Sequence, residues 1–313
     1  MIPAIIAYPH SQNLGDWIQS LIITYVWHQE FMECDREQLD GYRGSKVKLI
    51  CNGWFLENPQ KWPPSNDITP LFISFHITPK AIKELTKPES IAYFKKFEPI
   101  GCRDFHTRDL LHQYGVKSYF SGCITLAYEK QFFKLENVPS SGIVVASALD
   151  RLKPTIHPRK NAISFVLEVM KLPLKFWKYQ WAVKRLNQKL KKIDKPIIKL
   201  SQIISIKRLK TENPKQLAMD YLKKIAHAEL VITSRIHTAL PAVAMNIPVL
   251  FLDDGLTHIN HKSRLEGLDD FFHICSSHHL NQTDFSTITT KTNHLKIKES
   301  LKETINLFLT DFN

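Results

Sequence analysis

Cysteine is scarce in this sequence, and the few cysteines are not paired. There are five in 313 residues, an odd number, and no two of them form a CxxC motif. This usage is typical of reduced thiols in a cytoplasmic protein, most of them packed as small hydrophobic side chains. We therefore expect a cytoplasmic location.

Long hydrophobic runs are also absent. The best candidates are interrupted by Arg235, His237, Pro241 and Pro248, so none reaches the length that spans a bilayer. The apolar start at residues 1–6 lacks a basic segment and a cleavage site, and we interpret it as a first strand. With 43% hydrophobic and 23% charged residues, the chain is expected to be globular and long enough for two α/β domains.

A third absence concerns the nucleotide-binding signatures. A strand candidate, Ala4–Tyr8, runs into Asn13-Leu14-Gly15-Asp16 and then into an apolar helix. This turn is neither a GxGxxG motif nor a Walker loop, so it does not support dinucleotide binding. Gly15 would let the backbone approach a ligand. Asp16 is either a helix cap or a site residue.

Negative charge is scarce in one segment only. Residues 151–210 hold 17 Lys or Arg against two acids, whereas the chain as a whole carries +12. The rest of the protein is therefore slightly acidic, which argues against specific nucleic-acid binding by the whole chain.

Within this segment, residues 173–195 are predicted to form a helix. Its apolar stripe consists of Phe176, Tyr179, Val183, Leu186, Leu190 and Ile193, with lysines off the stripe. Two interpretations stay open. The stripe covers the rest of the protein, or it is a surface for an anionic membrane or a lipid-linked substrate.

Strands and helices alternate along the chain, as in a doubly wound α/β sheet. In the first half, strands are predicted at residues 47–51, 71–75 and 116–120, and a helix at 105–114 is closed by Gly115. Arg103 stands where a strand gives way to this helix. Periodicity is lost between residues 129 and 141, which predicts two domains, 1–135 and 136–313.

The most informative stretch is a predicted strand–helix–strand unit. Buried strands are expected at Leu230–Thr233 and Val249–Leu252, joined by a helix from about residue 235 to 245 that Thr233 or Ser234 would cap. Arg235 and His237 would then lie in the first helical turn.

Such a turn, just past the carboxyl end of a strand, is where ligands of open α/β sheets bind and anions are favoured. The local pattern alone leaves a ligand site and an ordinary surface turn equally open. His258 and His261 have no acidic or cysteine partner nearby, so a metal site is not expected.

Four stretches resemble the polysaccharide pyruvyl transferases, in the same order along the chain. They are Asn13–Asp16, Ile100–Asp104 with Thr107, Phe120–Leu126, and Leu230–Leu252 with its Ser-Arg-Ile-His block. The resemblance covers roughly residues 4–130 and 197–270. Gln12 and Thr107 depart from the usual residues, and the basic segment 151–196 has no counterpart and looks like a helical insertion.

The resemblance implies an architecture similar to GT-B glycosyltransferases, with two Rossmann-like domains facing across a cleft. The first would be the acceptor side and the second the donor side. A C-terminal helix near Ile297–Leu309 would pack back on the first domain.

The resemblance also implies a reaction, the transfer of pyruvate from phosphoenolpyruvate to a sugar of a polysaccharide or glycan precursor as a ketal. Exopolysaccharide or capsule synthesis is the implied setting. Arginine suits the donor's phosphate and carboxylate, and histidine suits proton transfer near neutral pH. No metal or cofactor is needed. The roles implied are catalysis for His237 and Arg235, and substrate binding for Arg103, Ser234, Asn13, Gly15, Asp16 and Thr107, with Asn13 and Asp16 on the acceptor side.

Two alternatives remain. One is a GT-B glycosyltransferase that uses a nucleotide sugar. The other is a non-catalytic binding protein on the same fold, with the basic helix as its working surface. The basic segment also leaves open a peripheral contact with the inner face of an anionic membrane through residues 173–195.

Overall fold

A computed structural model of the chain describes residues 1–55, 57–134, 139–155, 162–256 and 263–310. The predicted domain boundary at residues 135/136 lies outside the described residues, and so do His258 and His261. The division into two domains at that point stays a prediction.

Two parallel sheets organise the described residues. The six strands of the first sheet follow the order β2-β1-β3-β4-β5-β6 and span Ile2–Ala7 (β1), Met32–Asp35 (β2), Val47–Phe55 (β3), Ile68–Ile77 (β4), Ile100–Cys102 (β5) and Ser118–Phe120 (β6). The five strands of the second follow the order β11-β10-β9-β7-β8 and span Ile143–Ala146 (β7), Ile197–Leu200 (β8), Leu230–Thr233 (β9), Val249–Leu252 (β10) and His273–Cys275 (β11). The predicted α/β class with Rossmann-like sheets is confirmed.

The helices connect and cover these strands. They span Leu14–Trp27 (α1), Ile82–Leu85 (α2), Pro88–Lys96 (α3), Phe105–Gln113 (α4), Ala162–Met170 (α5), Leu172–Leu190 (α6), Ile206–Thr211 (α7), Pro214–Ala226 (α8), Ile236–Ala244 (α9) and, at the C-terminal end, Leu295–Thr310. Gly115 follows α4 with a φ of +70°, as predicted for the position after a helix.

The strand order creates a switch point in each sheet. β1 pairs with both β2 and β3, and β7 pairs with both β8 and β9, so the chain leaves each of these central strands in one direction and returns on the other side. Open α/β sheets bind ligands beyond the carboxyl ends of the strands at such points. The carboxyl end of β1 leads into residues 8–13, and that of β7 leads into residues 147–151.

Two strands are longer than predicted, because polar residues lie inside them. β3 has nine residues and β4 ten, whereas five were expected for each. Asn52, Ser74 and His76 are fully buried within these strands. The predicted β3 ended before Asn52 and the predicted β4 before His76, because a hydrophobicity pattern ends at a polar residue, and residues 68–70 at the start of β4 were missed as well. The short strands β2 and β11 were also missed.

One hydrophobic core joins the two halves. It contains Ile18 and Ile22 of α1, Tyr128, and Leu240 of α9, and α1 packs against both α8 and α9. The C-terminal helix returns to the first half. There Lys48 Nζ donates to the Phe308 carbonyl (2.9 Å), and Lys298 Nζ donates to the Tyr128 carbonyl (3.2 Å).

The apolar stripe of the basic helix covers the protein itself over most of its length. Leu186 and Leu190 are buried in the core beneath β7 and β9, and Tyr179, Val183 and Ile193 pack against that core. Phe176 is 56% exposed and does not share this packing. None of the helices in the described segments combines the length and the apolar character that crossing a bilayer requires.

Truncation of the shared core should destabilise both halves together. Ile22 is fully buried, so Ile22→Ala should lower the free energy of unfolding by about 2–5 kcal/mol. Urea unfolding followed by both circular dichroism and tryptophan fluorescence measures this, and the two transitions should coincide. Leu307→Ala, at a side chain that is 64% exposed, is the matched control. Separate transitions for the two halves would contradict a shared core.

Candidate functional site

Arg103 leaves β5 with its side chain buried, only 1% exposed. Its backbone N–H donates to the Phe75 carbonyl (2.8 Å), which ties the strand end to β4. Its Nη2 lies 3.5 Å from Asp104 Oδ2, but Nε and Nη2 have no hydrogen-bond partner among the described residues. A buried guanidinium with unpaired donors is costly unless an anion binds it.

Asp104 holds this turn in place. Its Oδ1 accepts hydrogen bonds from the Thr107 N–H (3.0 Å) and the Thr107 hydroxyl (2.8 Å), so Asp104 caps α4. The Thr107 hydroxyl also accepts from the Ile77 N–H (3.1 Å). Thr107, predicted to bind substrate, is fully buried with its hydroxyl engaged by the protein.

His76 is a further candidate site residue, and it was not predicted from the sequence. It is fully buried near the end of β4, and its Nδ1 lies 2.5 Å from Asp104 Oδ2. Burial, assisted by Arg103, lowers the pKa of His76. Burial alone would raise the pKa of the Asp104 carboxyl. His76 and Arg103 outweigh this effect, so the pKa lies below its usual value. We therefore assign a neutral imidazole that donates to a carboxylate. In the sequence, the one indication of this residue was its position directly after the predicted apolar strand at residues 71–75.

The turn from β9 into α9 differs from its prediction. The helix begins at Ile236, and Arg235 occupies the N-cap position with an extended backbone (φ −114°, ψ 122°). Neither Thr233 nor Ser234 caps α9, so that prediction was wrong. The Thr233 hydroxyl donates to the Ala146 carbonyl (2.7 Å) and the Ser234 hydroxyl to the Ser147 carbonyl (2.8 Å). Both hydroxyls are buried at the end of β9, and they donate to the end of β7 because that strand lies beside β9.

Arg235 stands at the edge of this turn. Its side chain is 22% exposed, its Nη2 lies 3.7 Å from Asp150 Oδ2, and its Nε has no hydrogen-bond partner in the described part of the chain. Arg151 lies beside it and donates from Nε to the Ser234 carbonyl (3.2 Å). Two arginines therefore surround Ser234, where the sequence analysis named only one.

His237 lies in the first turn of α9 and contacts the first half of the chain at Gly15. A Cβ at Gly15 would stand 2.9 Å from His237 Nδ1 and 2.5 Å from Gln202 Nε2. Glycine is therefore required by close approach across the two halves. His237 is 6% exposed, and its Nε2 has no partner among the described residues.

Asn13 fastens the two halves together beside this contact. It forms an antiparallel bridge with Ile203, and its Oδ1 accepts from Gln202 Nε2 (2.6 Å) as well as from the Gly15 N–H (3.1 Å). Gln202 Oε1 in turn accepts from the Thr238 hydroxyl (2.6 Å). Gln202 was missed by the sequence analysis, because nothing in its local pattern shows that it meets Asn13.

Asn13, not Asp16, caps α1. Asp16 accepts instead from the Ser11 hydroxyl (2.6 Å) and from Asn13 Nδ2 (3.4 Å). It is 4% exposed, and burial raises the pKa of its carboxyl although the Ser11 hydrogen bond opposes this. The capping alternative for Asp16 is therefore excluded.

Positive charge collects where the two halves meet. Burial and the proximity of Arg103 lower the pKa of Arg264 to about 10, and burial and Arg235 lower the pKa of Arg151 to about 10. Burial, then Arg103 and Arg264, hold the pKa of His237 well below its usual 6.5. His237 is therefore neutral at pH 7. Arg264 was not among the predicted site residues.

The turn that carries Arg264 crosses from the second half to the first. The Phe105 N–H donates to the Glu266 carbonyl (3.1 Å), and a Cβ on Gly267 would contact the Phe105 ring at 3.0 Å. This contact brings the turn that carries Arg264 to the start of α4, and Arg103 is close enough to lower the pKa of Arg264.

A cavity of about 470 Å³ opens at the carboxyl ends of β1 to β3 and reaches Arg264. Polar side chains line most of it, including Tyr8, His10, Asn13, Asp16, Asp35, Arg36, Glu37 and Glu57. A cavity of this size and polarity fits a ligand with many hydroxyl groups. Among the described residues there is no group of three or more His, Cys, Asp or Glu that could hold a metal ion.

The fold and this site define a class: an α/β protein with two parallel, Rossmann-like sheets and a cluster of arginine and histidine side chains where its two halves meet. The family model for polysaccharide pyruvyl transferases matches residues 44–254, about two thirds of the chain. The chain therefore belongs to the polysaccharide pyruvyl transferase family and is an enzyme of that family. No curated protein matches the sequence.

The matched range includes most but not all of the predicted site. Arg103, Thr107, Ser234, Arg235 and His237 lie inside it. The loop Asn13–Asp16 precedes it, so that part of the resemblance rests on the sequence alone. The contacts of Gly15 and Asn13 with the second half are what link this loop to the matched residues.

The contact at Gly15 gives a direct test of the assembled site. Gly15→Ala should displace His237 or Gln202 and slow pyruvyl transfer between about 10- and 100-fold, because small displacements of reacting groups have large kinetic effects. Turnover and thermal unfolding should be measured together. Gly41→Ala is the matched control, since its nearest neighbour would be 3.9 Å away. A wild-type rate in Gly15→Ala would contradict the close approach.

Proposed function

We propose that the enzyme transfers a pyruvyl group from phosphoenolpyruvate to a sugar of a polysaccharide or glycan precursor and forms a ketal. The observation that carries this proposal is Arg103, a buried guanidinium whose Nε and Nη2 have no hydrogen-bond partner in the described residues. A small donor with a phosphate and a carboxylate would satisfy such groups. Exopolysaccharide or capsule is the proposed product class.

The two halves would share the donor between them. Arg103 comes from the first sheet and Arg235 from the second, so each anionic group of phosphoenolpyruvate would meet an arginine from a different half. Arginine forms paired hydrogen bonds with both phosphate and carboxylate. Arg264, from the turn that bridges the halves, would add a third cation.

Proton transfer would fall to His237. The methylene carbon of the donor must gain a proton, which leaves a cationic centre at C2. A sugar hydroxyl attacks C2 and gives up its proton, the bond from C2 to the phosphate oxygen breaks, and phosphate leaves with the bonding electrons. A second hydroxyl then closes the ketal, and its proton balances the charge on phosphate.

The low pKa of His237 bears on its role. With its pKa depressed, His237 takes up a proton poorly in the absence of donor, whereas the anionic donor would offset the charge of Arg103 and Arg264, raise this pKa and favour the protonated form. We therefore propose His237 as an acid/base that becomes able to carry the proton only when the donor is bound.

The acceptor would bind in the cavity at β1 to β3. Asn13 and Asp16 line this cavity, and Gly15, between them in the sequence, approaches His237. Glu57, Asp35 and Asp16 offer carboxylate oxygens that sugar hydroxyls can donate to.

A GT-B-like arrangement, with the first half on the acceptor side and the second on the donor side, is supported by the contact of the two switch points. We further propose that the enzyme works in the cytoplasm. All five cysteines are free, and Cys34, Cys51, Cys102 and Cys123 are buried. If the acceptor is lipid-linked, the cleft must also lie close to the inner face of the membrane.

Replacement of the arginines tests the donor site. Arg103→Lys and Arg235→Lys keep the charge but lose the paired hydrogen bonds, so each should lower kcat/KM for phosphate release at least about 100-fold. The assay uses phosphoenolpyruvate and a panel of sugar acceptors. Arg208→Lys, at a surface arginine paired with Glu212, is the control and should keep the wild-type rate. The proposal fails if both variants turn over normally, or if nucleotide sugars rather than phosphoenolpyruvate raise the thermal midpoint.

The pH profile tests the electrostatics around His237. In the proposed step the protonated imidazole delivers the proton, so kcat/KM should fall as pH rises through the pKa of His237. Because burial and two arginines depress this pKa, the alkaline limb should lie below pH 6.5 in the wild type. Arg264→Gln removes one positive neighbour, so the pKa of His237 should rise and this limb should move to higher pH. Arg208→Gln should leave the limb in place. A limb that moves to lower pH in Arg264→Gln would contradict the proposed origin of the shift.

A further inference from the structure

The helical pair α5–α6 carries an exposed apolar surface that the proposed reaction does not use. Eight large apolar side chains with substantial exposure lie between residues 165 and 177. At the turn between the two helices, Met170 is 71% exposed, Leu174 55%, Phe176 56% and Trp177 62%. Exposed apolar side chains normally occur singly, so a cluster of this kind marks an interaction surface.

This surface, residues 165–177, differs from the stripe predicted by sequence. The stripe's later members anchor α6 to its own half through Leu186 and Leu190. The anchored part begins at Tyr179, and the residues before it, through the turn between α5 and α6, are mostly exposed. Phe176 therefore belongs to the exposed tip and not to the packed stripe.

The charges around the tip are almost all positive. Residues 162–192 hold eight Lys or Arg against a single acid. That acid, Glu168, is buried and lies 3.4 Å from Lys175, so it adds little exposed negative charge. Lys171 and Lys178 are exposed next to Met170 and Trp177. An anionic lipid surface suits both kinds of side chain, because its headgroups attract the cations and its acyl region accepts the apolar groups.

A second copy of the chain is a poorer occupant. In a two-fold interface the same patch would face itself, so the cations beside one tip would stand opposite those of the other. Lipid headgroups supply the opposite charge, and the acyl boundary accepts Phe176, Trp177 and Met170 without polar partners.

We infer that the tip of α5–α6 inserts into an anionic membrane surface and holds the enzyme there peripherally. α5 and α6 belong to the connection from β7 to β8, so the tip is carried by the half that also carries Arg235. The inference does not depend on the donor or on pyruvyl transfer. Failure of the reaction proposed above would leave it standing.

Co-sedimentation with vesicles tests this inference on the full chain. The wild type should bind vesicles of phosphatidylcholine mixed with phosphatidylglycerol, bind pure phosphatidylcholine weakly, and be released by salt. Phe176→Ser combined with Trp177→Ser should weaken binding at least about tenfold, because the apolar anchor is lost. Lys171→Glu combined with Lys178→Glu should weaken it about as much on anionic vesicles.

The matched control is Ile206→Ser combined with Leu307→Ser, at side chains 59% and 64% exposed on other surfaces. This variant should bind vesicles as the wild type does, and all variants should keep the wild-type thermal midpoint. The inference is overturned if the wild type does not bind anionic vesicles, or if the tip variant binds as well as the control. It is also overturned if the tip mutations instead dissolve a dimer in analytical centrifugation while vesicle binding is unchanged.

Discussion

The buried guanidinium of Arg103 is the constraint on which the rest of the site depends. A cation with 1% exposure is stable only if its surroundings supply negative charge, yet Asp104 is its one ion-pair partner in the described residues and also caps α4 and contacts His76. The Nε and Nη2 of Arg103 have no hydrogen-bond partner among those residues. Arg264 and His237 lie near enough to respond to the same charge. In the proposed function, the anionic donor would supply the negative charge that these groups lack.

The second feature is that neither half holds the complete site. Arg103 and His76 come from the first sheet, Arg235 and His237 from the second, and the hydrogen bonds of Asn13 with Gln202 align the two. The shared hydrophobic core beneath α1, α8 and α9 keeps this alignment. The contact between Gly15 and His237 is therefore supported both by hydrogen bonds and by the packing of the core.

Much of the fold and part of the site could be predicted from the sequence. β9 and β10 occur where their apolar, β-branched runs placed them, because strands buried on both faces have a strong local signal. Arg103 and Arg235 were found because each follows such a strand. His76, Gln202 and Arg264 were not found, since their importance arises from partners 28 to 189 positions away or in the other half of the chain. The helix cap before α9 was mistaken, because Thr233 and Ser234 bond to β7 instead.

The sequence by itself determined the family, the α/β class and the residue types that could bind an anionic donor, because these depend on local pattern and on motif order. Only the tertiary structure decided which groups meet. It buried His237 among cations, placed Gly15 against it, and turned the apolar stripe of α6 towards the protein while leaving the tip at residues 165–177 exposed. Those outcomes depend on how two sheets and their connections pack, and packing between distant segments leaves no trace in a local pattern.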